Sequence, residues 1–258
     1  MIIKLKFKKT TLKFVLKRRS DFVSFYQVYV ERSYPHLMEL IRSRDTVIDA
    51  GANIGIFSAI ASVLTGNNGS VIAIEPDPDN LAILRQNVEI NNLNNVTIIE
   101  RALYNLDNAI LKLHQNGAMS KIFPTADNSN NGISVKTTTL DDLIAEYEVR
   151  PSVMKMDIEG AEFFALQKAT NLVSNLNYFE GEIHDLQSEL MLRSLTNFDL
   201  TSYPIENMKR VKEFVIRHPV KTLRLEYSNR FETTKRILSH NKSGFEEFPK
   251  MFFGRKRQ

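Results

Sequence analysis

From Thr46 to Ile183 short β-branched runs alternate with helical stretches, and no other feature of the chain limits its fold so narrowly. Thr46-Val47-Ile48-Asp49, Ser70 to Glu75, Val96 to Glu100, Val153 to Asp157 and Tyr178 to Ile183 are expected as strands. Phe57 to Leu64, Asn80 to Ile90, Leu140 to Glu148 and Ala161 to Leu172 carry helical spacing between them. Repeated alternation of this kind gives a parallel sheet, because parallel neighbours need a long, right-handed crossover over one face. Ala109 to Leu113 is expected as an edge strand, followed by a polar loop from His114 to Gly132 that is longer than most connections. Val135 to Thr138 resumes extended structure, Asn207 to Arg217 is expected as a basic helix, and Glu246 to Gly254 as a last, antiparallel strand.

A chain of 258 residues, 43% hydrophobic and 25% charged, can bury a substantial core in one large domain. That domain is expected over 45–258, preceded by a basic and helical flank over 1–44. In the flank, Phe22, Phe25, Val28, Tyr29, Leu37, Leu40 and Ile41 recur at mostly three- and four-residue spacings, as a helical cover would. The net charge of +4 is concentrated at the ends, in Lys4, Lys6, Lys8, Lys9, Lys13, Lys17, Arg18 and Arg19 and in Arg255, Lys256 and Arg257. Such ends could make a weak contact with an anionic membrane surface, but a solvated face is the simpler account. There is no cysteine, which excludes disulfides, thiolate metal sites and thiol nucleophiles. No apolar run reaches the about 18 residues of a membrane span, and the start alternates apolar residues with lysine instead of presenting a signal-peptide core, so the cytoplasm is the expected location.

The most informative turn follows the first expected strand, where Asp49-Ala50-Gly51-Ala52-Asn53-Ile54-Gly55 leads into the helix near Phe57. Gly51 and Gly55 let the backbone turn tightly and let a ligand lie against it, at the sheet edge where open α/β folds bind nucleotides. The dinucleotide pattern G-x-G-x-x-G is absent: the glycines are four apart, Asn53 stands between them, and an acid precedes them. Asp49, expected to point at the pocket, would repel pyrophosphate but attract the sulfonium and amine of S-adenosylmethionine. Glu75, at the end of the second strand, is positioned to accept hydrogen bonds from both ribose hydroxyls. Glu100-Arg101-Ala102, ending the third strand, would flank the adenine.

With these motifs the chain resembles the FkbM family of methyltransferases. The resemblance runs from about Thr46 to His184 through Val47 to Gly55, Ile74-Glu75-Pro76-Asp77-Pro78, Thr139-Leu140-Asp141-Asp142-Leu143, Lys155-Met156-Asp157-Ile158-Glu159-Gly160-Ala161-Glu162 and Glu182-Ile183-His184. It implies a Rossmann-like class I methyltransferase fold: a seven-stranded, mostly parallel sheet with its last strand antiparallel and helices on both faces. It also implies S-adenosylmethionine as donor and a hydroxyl acceptor on a sugar or small metabolite.

Methyl transfer to a hydroxyl needs alignment and the removal of one proton. Asp157 and His184, closing the fourth and fifth strands, should face the crevice. A neutral His184 imidazole is the expected base, Asp157 the group that anchors the methionine end or orients the acceptor, and Glu159 a substrate contact. Glu162 could instead simply favour the positive end of the following helix. A divalent-metal site of Asp157, Glu159, Glu182 and His184 is the alternative, but strand alternation argues against it: Glu182 and His184 share a face, while Asp157 and Glu159 lie across a strand-to-helix break. Two rival functions are a non-catalytic S-adenosylmethionine-binding module and a ribose methyltransferase acting on nucleic acid. The intact set Asp49, Gly51, Gly55, Glu75, Asp157 and His184 speaks against the first, and acids at the pocket mouth against the second. Acceptor identity is left to the polar loop and the basic helix; Lys209, Arg210 and Lys212 there suit an anionic acceptor or a solvated face.

Overall fold

The computed structural model describes residues 1–115, 121–123, 132–194, 198–203 and 250–257. The expected helix over Asn207 to Arg217, most of the polar loop and the first residues of the expected last strand lie outside them.

The chain opens with an antiparallel hairpin of β1 (Ile2–Phe7) and β2 (Thr10–Val15), continues through α1 (Arg19–Phe25), a π-helical turn (Tyr26–Val30) and α2 (Pro35–Leu40), and then enters the alternating region. There follow β3 (Thr46–Ala50), α3 (Ile56–Thr65), β4 (Ser70–Ile74), α4 (Pro78–Ile90), β5 (Val96–Ile99), β6 (Ala102–Leu103), β7 (Ile110–His114), β8 (Lys121–Phe123), β9 (Ile133–Thr138) and α5 (Leu140–Tyr147). The remainder is β10 (Val153–Met156), α6 (Glu162–Leu166), α7 (Thr170–Asn175), β11 (Tyr178–Ile183), α8 (Leu186–Ser194), β12 (Phe198–Tyr203) and β13 (Lys250–Lys256).

Seven strands form the main sheet in the order β12-β13-β11-β10-β3-β4-β5, with β3, β4, β5, β10 and β11 parallel and β13 antiparallel to both neighbours. The expected class I architecture is therefore present, with its antiparallel last strand wedged between β11 and β12. Burial on both faces explains the mainly apolar composition of β3, β4 and β10, interrupted within the buried stretch only by Asp49 and Lys155. Adjacent residues divide between two cores. Ile48, Ile72, Met154 and Met156 pack with Leu140, Leu166, Leu172 and Leu192 on one face. Val47, Val71 and Val153 pack with Phe57, Ile60 and Leu64 on the other.

Two expectations need correction. The stretch from Ala161 to Leu172 is two short helices, α6 and α7, because Gln167, Lys168 and Ala169 leave the helical path between them. The strand near Ala109 to Leu113 is β7, which is not an edge of the main sheet but an inner strand of a separate four-stranded sheet, β6-β9-β7-β8.

The hairpin and α2 pack on the α3 face. Leu12, Phe14, Leu16 and Leu37, each no more than 1% exposed, belong to the same core as Val47 and Ile60. Lys4 pairs across the hairpin with Lys13, so the lysines lie on the face opposite Leu5, Leu12 and Phe14 by strand alternation. Polar ties reinforce this docking: Asn87 and Asn91 of α4 accept from the Val15 and Lys13 amides at 2.7 Å each, and Arg18 donates to Asn80 at 2.6 Å.

Gly51, just after β3, has φ +74°, and a methyl group there would sit 1.8 Å from the Asp157 carbonyl oxygen. The glycine is needed because the ends of β3 and β10 approach each other backbone to backbone. Gly51→Ala is expected to lower stability by about 3 kcal/mol or more, from left-handed strain together with overlap against main chain. Urea unfolding measures it, and an unchanged midpoint would mean that the turn relaxes freely.

Candidate active site

The turn after β3 is held by main chain and by one acid. The Gly51 and Ala52 amides donate to the Ile74 carbonyl at 3.0 and 2.9 Å, which fastens the turn to the end of β4. Asn53, at φ +52°, donates its amide to Glu75 Oε2 at 2.7 Å. Oε1 of Glu75 accepts from the Asp77 amide at 2.9 Å and from Asn80 Nδ2 at 3.2 Å. Glu75 is only 5% exposed, and burial pushes its carboxyl up to about 7 although hydrogen bonds from Asp77, Asn80 and Asn53 pull the other way. Gly55 closes the turn at φ +83° and packs under Leu84 of α4. Asn53, Gly55 and Glu75 thus gather at the carboxyl edge of β3 and β4.

Asp49 does not face that crevice, contrary to the sequence expectation. Its side chain is fully buried; Oδ2 accepts from Ser58 Oγ of α3 at 2.5 Å, and Oδ1 lies 3.2 Å from Lys155 Nζ. Lys155 also donates to the Ala50 and Gly51 carbonyls at 3.1 and 2.6 Å. The physical reason is charge: a lysine in the middle of an apolar strand needs an anion beneath the sheet surface, and Asp49 is its neighbour in register. A lysine inside Val153-Met154-Lys155-Met156 is the signal in the sequence for this pair. Glu180 of β11 is the next partner of Lys155 in register. Its carboxylate accepts from the Leu37 amide at 2.9 Å and lies 2.6 Å from His36 Nδ1, which fixes the start of α2 to the sheet.

Of the residues expected around an adenine, Ala102 is fully buried and packs with Leu113 and Val135, so its side chain offers no surface to a ligand. Glu100 pairs with Arg85, and Arg101 with Glu146.

At the ends of β10 and β11 the structure assembles a second acidic group. Asp157 Oδ2 accepts from Tyr34 Oη at 2.8 Å, while Oδ1 is buried without a hydrogen-bond partner. Burial first, then the Asp157 charge, pushes the Tyr34 hydroxyl well above its ordinary value, so it stays a donor. Nothing in the sequence pointed to Tyr34, which lies 123 residues before its partner. Glu162 is fully buried at the start of α6; Oε1 accepts from the Ile158 and Gly160 amides at 3.2 Å each and lies 2.9 Å from His184 Nδ1. On the other side of the ring, His184 Nε2 lies 3.5 Å from Glu159 Oε2 and 3.7 Å from Glu182 Oε1.

This cage corrects the expectation of a neutral imidazole. Burial alone would lower the His184 value, but the Glu162 hydrogen bond and the charges of Glu162, Asp157 and Glu182 outweigh it and push it up to about 10. The ring as it stands keeps its proton at neutral pH. Glu182 is pushed up to about 8 by burial and by Asp157, against the opposing pull of His184. Of the four residues weighed as metal ligands, Asp157, Glu182 and His184 have donor atoms within 4.8 Å of one another, because Asp157 follows β10 directly and the other two lie at the end of its neighbour β11; Glu159 is outside that group.

A seven-stranded sheet of this order, with acids at the carboxyl edge of β4, β10 and β11, is the architecture of a class I S-adenosylmethionine-dependent methyltransferase. The methyltransferase FkbM domain matches residues 49–203, and the chain belongs to that family. It is 29% identical over 188 residues to the hexuronic acid methyltransferase AglP of Haloferax volcanii, covering 70% of this chain and 73% of that one. Among solved structures, an rRNA methylase from Streptococcus thermophilus has the same fold at 12% identity, TM-score 0.50, over 95% of this chain and 99% of that one. A methyltransferase FkbM from Methylobacillus flagellatus is 18% identical, with TM-score 0.43 over 74% of this chain and 52% of that one. No helix among the described residues is long and apolar enough to cross a membrane.

Removing Lys155 would strand a buried carboxylate. Lys155→Met is expected to cost about 3–5 kcal/mol in urea unfolding, and the double variant Asp49→Asn/Lys155→Met to recover most of it. If the double variant were as unstable as the single one, the pair would not be the source of the loss.

Proposed function

We propose that this methyltransferase transfers the methyl group of S-adenosylmethionine to a hydroxyl of a sugar or related small molecule. The observation that carries the reading is that the Gly51–Gly55 turn with Glu75 and the Asp157–Glu159–His184 group open on the same carboxyl edge of one sheet. Donor and acceptor can then meet in line. Gly51, Asn53, Gly55 and Glu75 would line the donor, with Glu75 accepting both ribose hydroxyls. The backbone of Glu100 and Arg101 would border the adenine, and Asp157 would sit between the methionine end and the acceptor. Asp49 would act through Lys155 and the turn rather than by contact.

At the reacting centre the acceptor oxygen forms its bond to the methyl carbon as the carbon–sulfur bond breaks, which releases S-adenosylhomocysteine; the hydroxyl proton leaves to a carboxylate. Glu159 is cast as that acceptor: its side chain is 21% exposed beside His184 Nε2, whereas Glu162 is fully buried. Asp157 and His184 orient the hydroxyl. The sugar class draws its support from the likeness to a hexuronic acid methyltransferase.

Calorimetric titration with S-adenosylmethionine, and separately with NAD, tests the donor. Binding of S-adenosylmethionine alone is expected. Glu75, at about 7, is ionised above that pH and protonated below it. A protonated carboxyl cannot accept from both ribose hydroxyls, so affinity should fall as pH drops through 7, by up to about tenfold per unit. In Glu75→Gln binding should be weak and flat with pH. An unaltered pH profile in that variant would remove Glu75 from the ribose.

A panel of neutral hexoses, uronic acids and nucleotide sugars, read by mass spectrometry for the gain of one methyl group, tests the acceptor. On any sugar that reacts, Glu159→Gln should lower kcat by about 10²-fold with donor affinity unchanged. A variant as fast as the wild type would return the proton to another group.

A further inference from the structure

We infer that Asp157, Glu182 and His184 form a binding site for one divalent cation of the magnesium and manganese class, on the acceptor side of the crevice; the inference deepens the reading of the chain as a hydroxyl methyltransferase and rests on it for its chemical purpose. One donor atom from each residue lies within 4.8 Å of the other two. Ligands on such an ion, at about 2.1 Å, stand about 3 Å apart when adjacent, so small side-chain rotations close the set.

The orientation of each ligand supports the assignment. A histidine that binds metal through one ring nitrogen usually gives the other to a carboxylate, and the His184 Nε2 proton would leave to solvent as the ion binds. Glu162 Oε1 holds His184 Nδ1 at 2.9 Å, while Nε2 has Glu159 and Glu182 oxygens at 3.5 and 3.7 Å, too long for good hydrogen bonds and suitable for bridging by an ion. Tyr34 does the same for Asp157, taking Oδ2 at 2.8 Å and leaving Oδ1 without a partner. A second, independent sign is that the unpartnered Oδ1 is a buried oxygen of a residue within the cluster itself. Buried polar atoms without partners are uncommon, and a missing ion is a recognised cause.

Two carboxylates and one imidazole favour a hard or borderline ion, and with no cysteine in the chain no thiolate shifts the preference to softer metals. Three protein ligands leave positions open for acceptor oxygens. A cation there would favour the deprotonated acceptor hydroxyl and offset the carboxylates that otherwise repel an anionic sugar.

Manganese(II) alone, titrated into chelator-stripped full-length protein with the free ion read by electron paramagnetic resonance, is the test. One bound ion per chain is expected, displaced by excess magnesium. Glu182→Gln and His184→Gln should each weaken binding at least about tenfold, and Tyr34→Phe, which leaves every ligand in place, by about tenfold. Titration of the same preparations with S-adenosylmethionine reports whether each variant keeps its fold and donor pocket. A wild-type protein that takes up no manganese, or Glu182→Gln and His184→Gln variants that bind it as well as the wild type, would overturn the site even where the donor binds normally. Manganese bound as expected by a protein that does not bind the donor would uphold the site and count against the donor pocket instead.

Discussion

The buried pair of Asp49 and Lys155 fixes the geometry on which the crevice depends. Their strands are neighbours, and the ammonium that neutralises Asp49 also binds the Ala50 and Gly51 carbonyls. One charge therefore joins the ends of β3 and β10 and sets the start of the turn. The register continues the pattern, since Lys155 pairs with Glu180 on β11, giving a rung of alternating charge across three strands in an otherwise apolar sheet. Such a rung is costly to desolvate, and its value is positional: each member is useless without its neighbours, so the three strands are held in one register.

The same rung explains why the amino-terminal flank is part of the site. Glu180 fixes the start of α2, and the Tyr34 ring just before that helix lies 5.4 Å from the Lys155 ammonium, while its hydroxyl reaches Asp157. The flank thus roofs the charged rung with an aromatic face and presents one hydroxyl to the crevice. Phe57 packs edge-on against Tyr34 at 5.4 Å, which leaves the ring little freedom to withdraw.

What could be read from the sequence follows from what is local. Strand and helix alternation is a property of neighbours in the chain, and it yielded the parallel sheet, the crossovers and the sheet edge on which Glu75, Asp157 and His184 lie. Side-chain partners across the sheet are not local. The end of a strand suggests a place for Asp49 in the crevice, but alternation puts it on the α3 face with Val47, and the Lys155 that neutralises it there lies more than a hundred residues later. An isolated imidazole is neutral; the cage that protonates His184 comes from β11, from the turn after β10 and from α6. Alternation within one strand puts Glu182 and His184 on one face but is silent on Asp157, which joins them from the end of the neighbouring strand. Ala102 shows the opposite error, since proximity to the end of β5 says nothing once the chain turns away into a second sheet.

The two sides of the crevice differ in how their acids are satisfied, and the difference separates binding from chemistry. Glu75 has three hydrogen-bond donors from the protein and would exchange or share them with ribose hydroxyls, which is what a recognition group needs. Asp157 and Glu162 each keep a buried oxygen with no partner, and Glu182 lies against both a like charge and an imidazole. Gathering these acids costs the fold desolvation and mutual repulsion, which the His184 imidazole only partly offsets. Acids gathered around one imidazole and held in place by Tyr34 and by the turn wrapped on Glu162 are the arrangement that the proposed function would use.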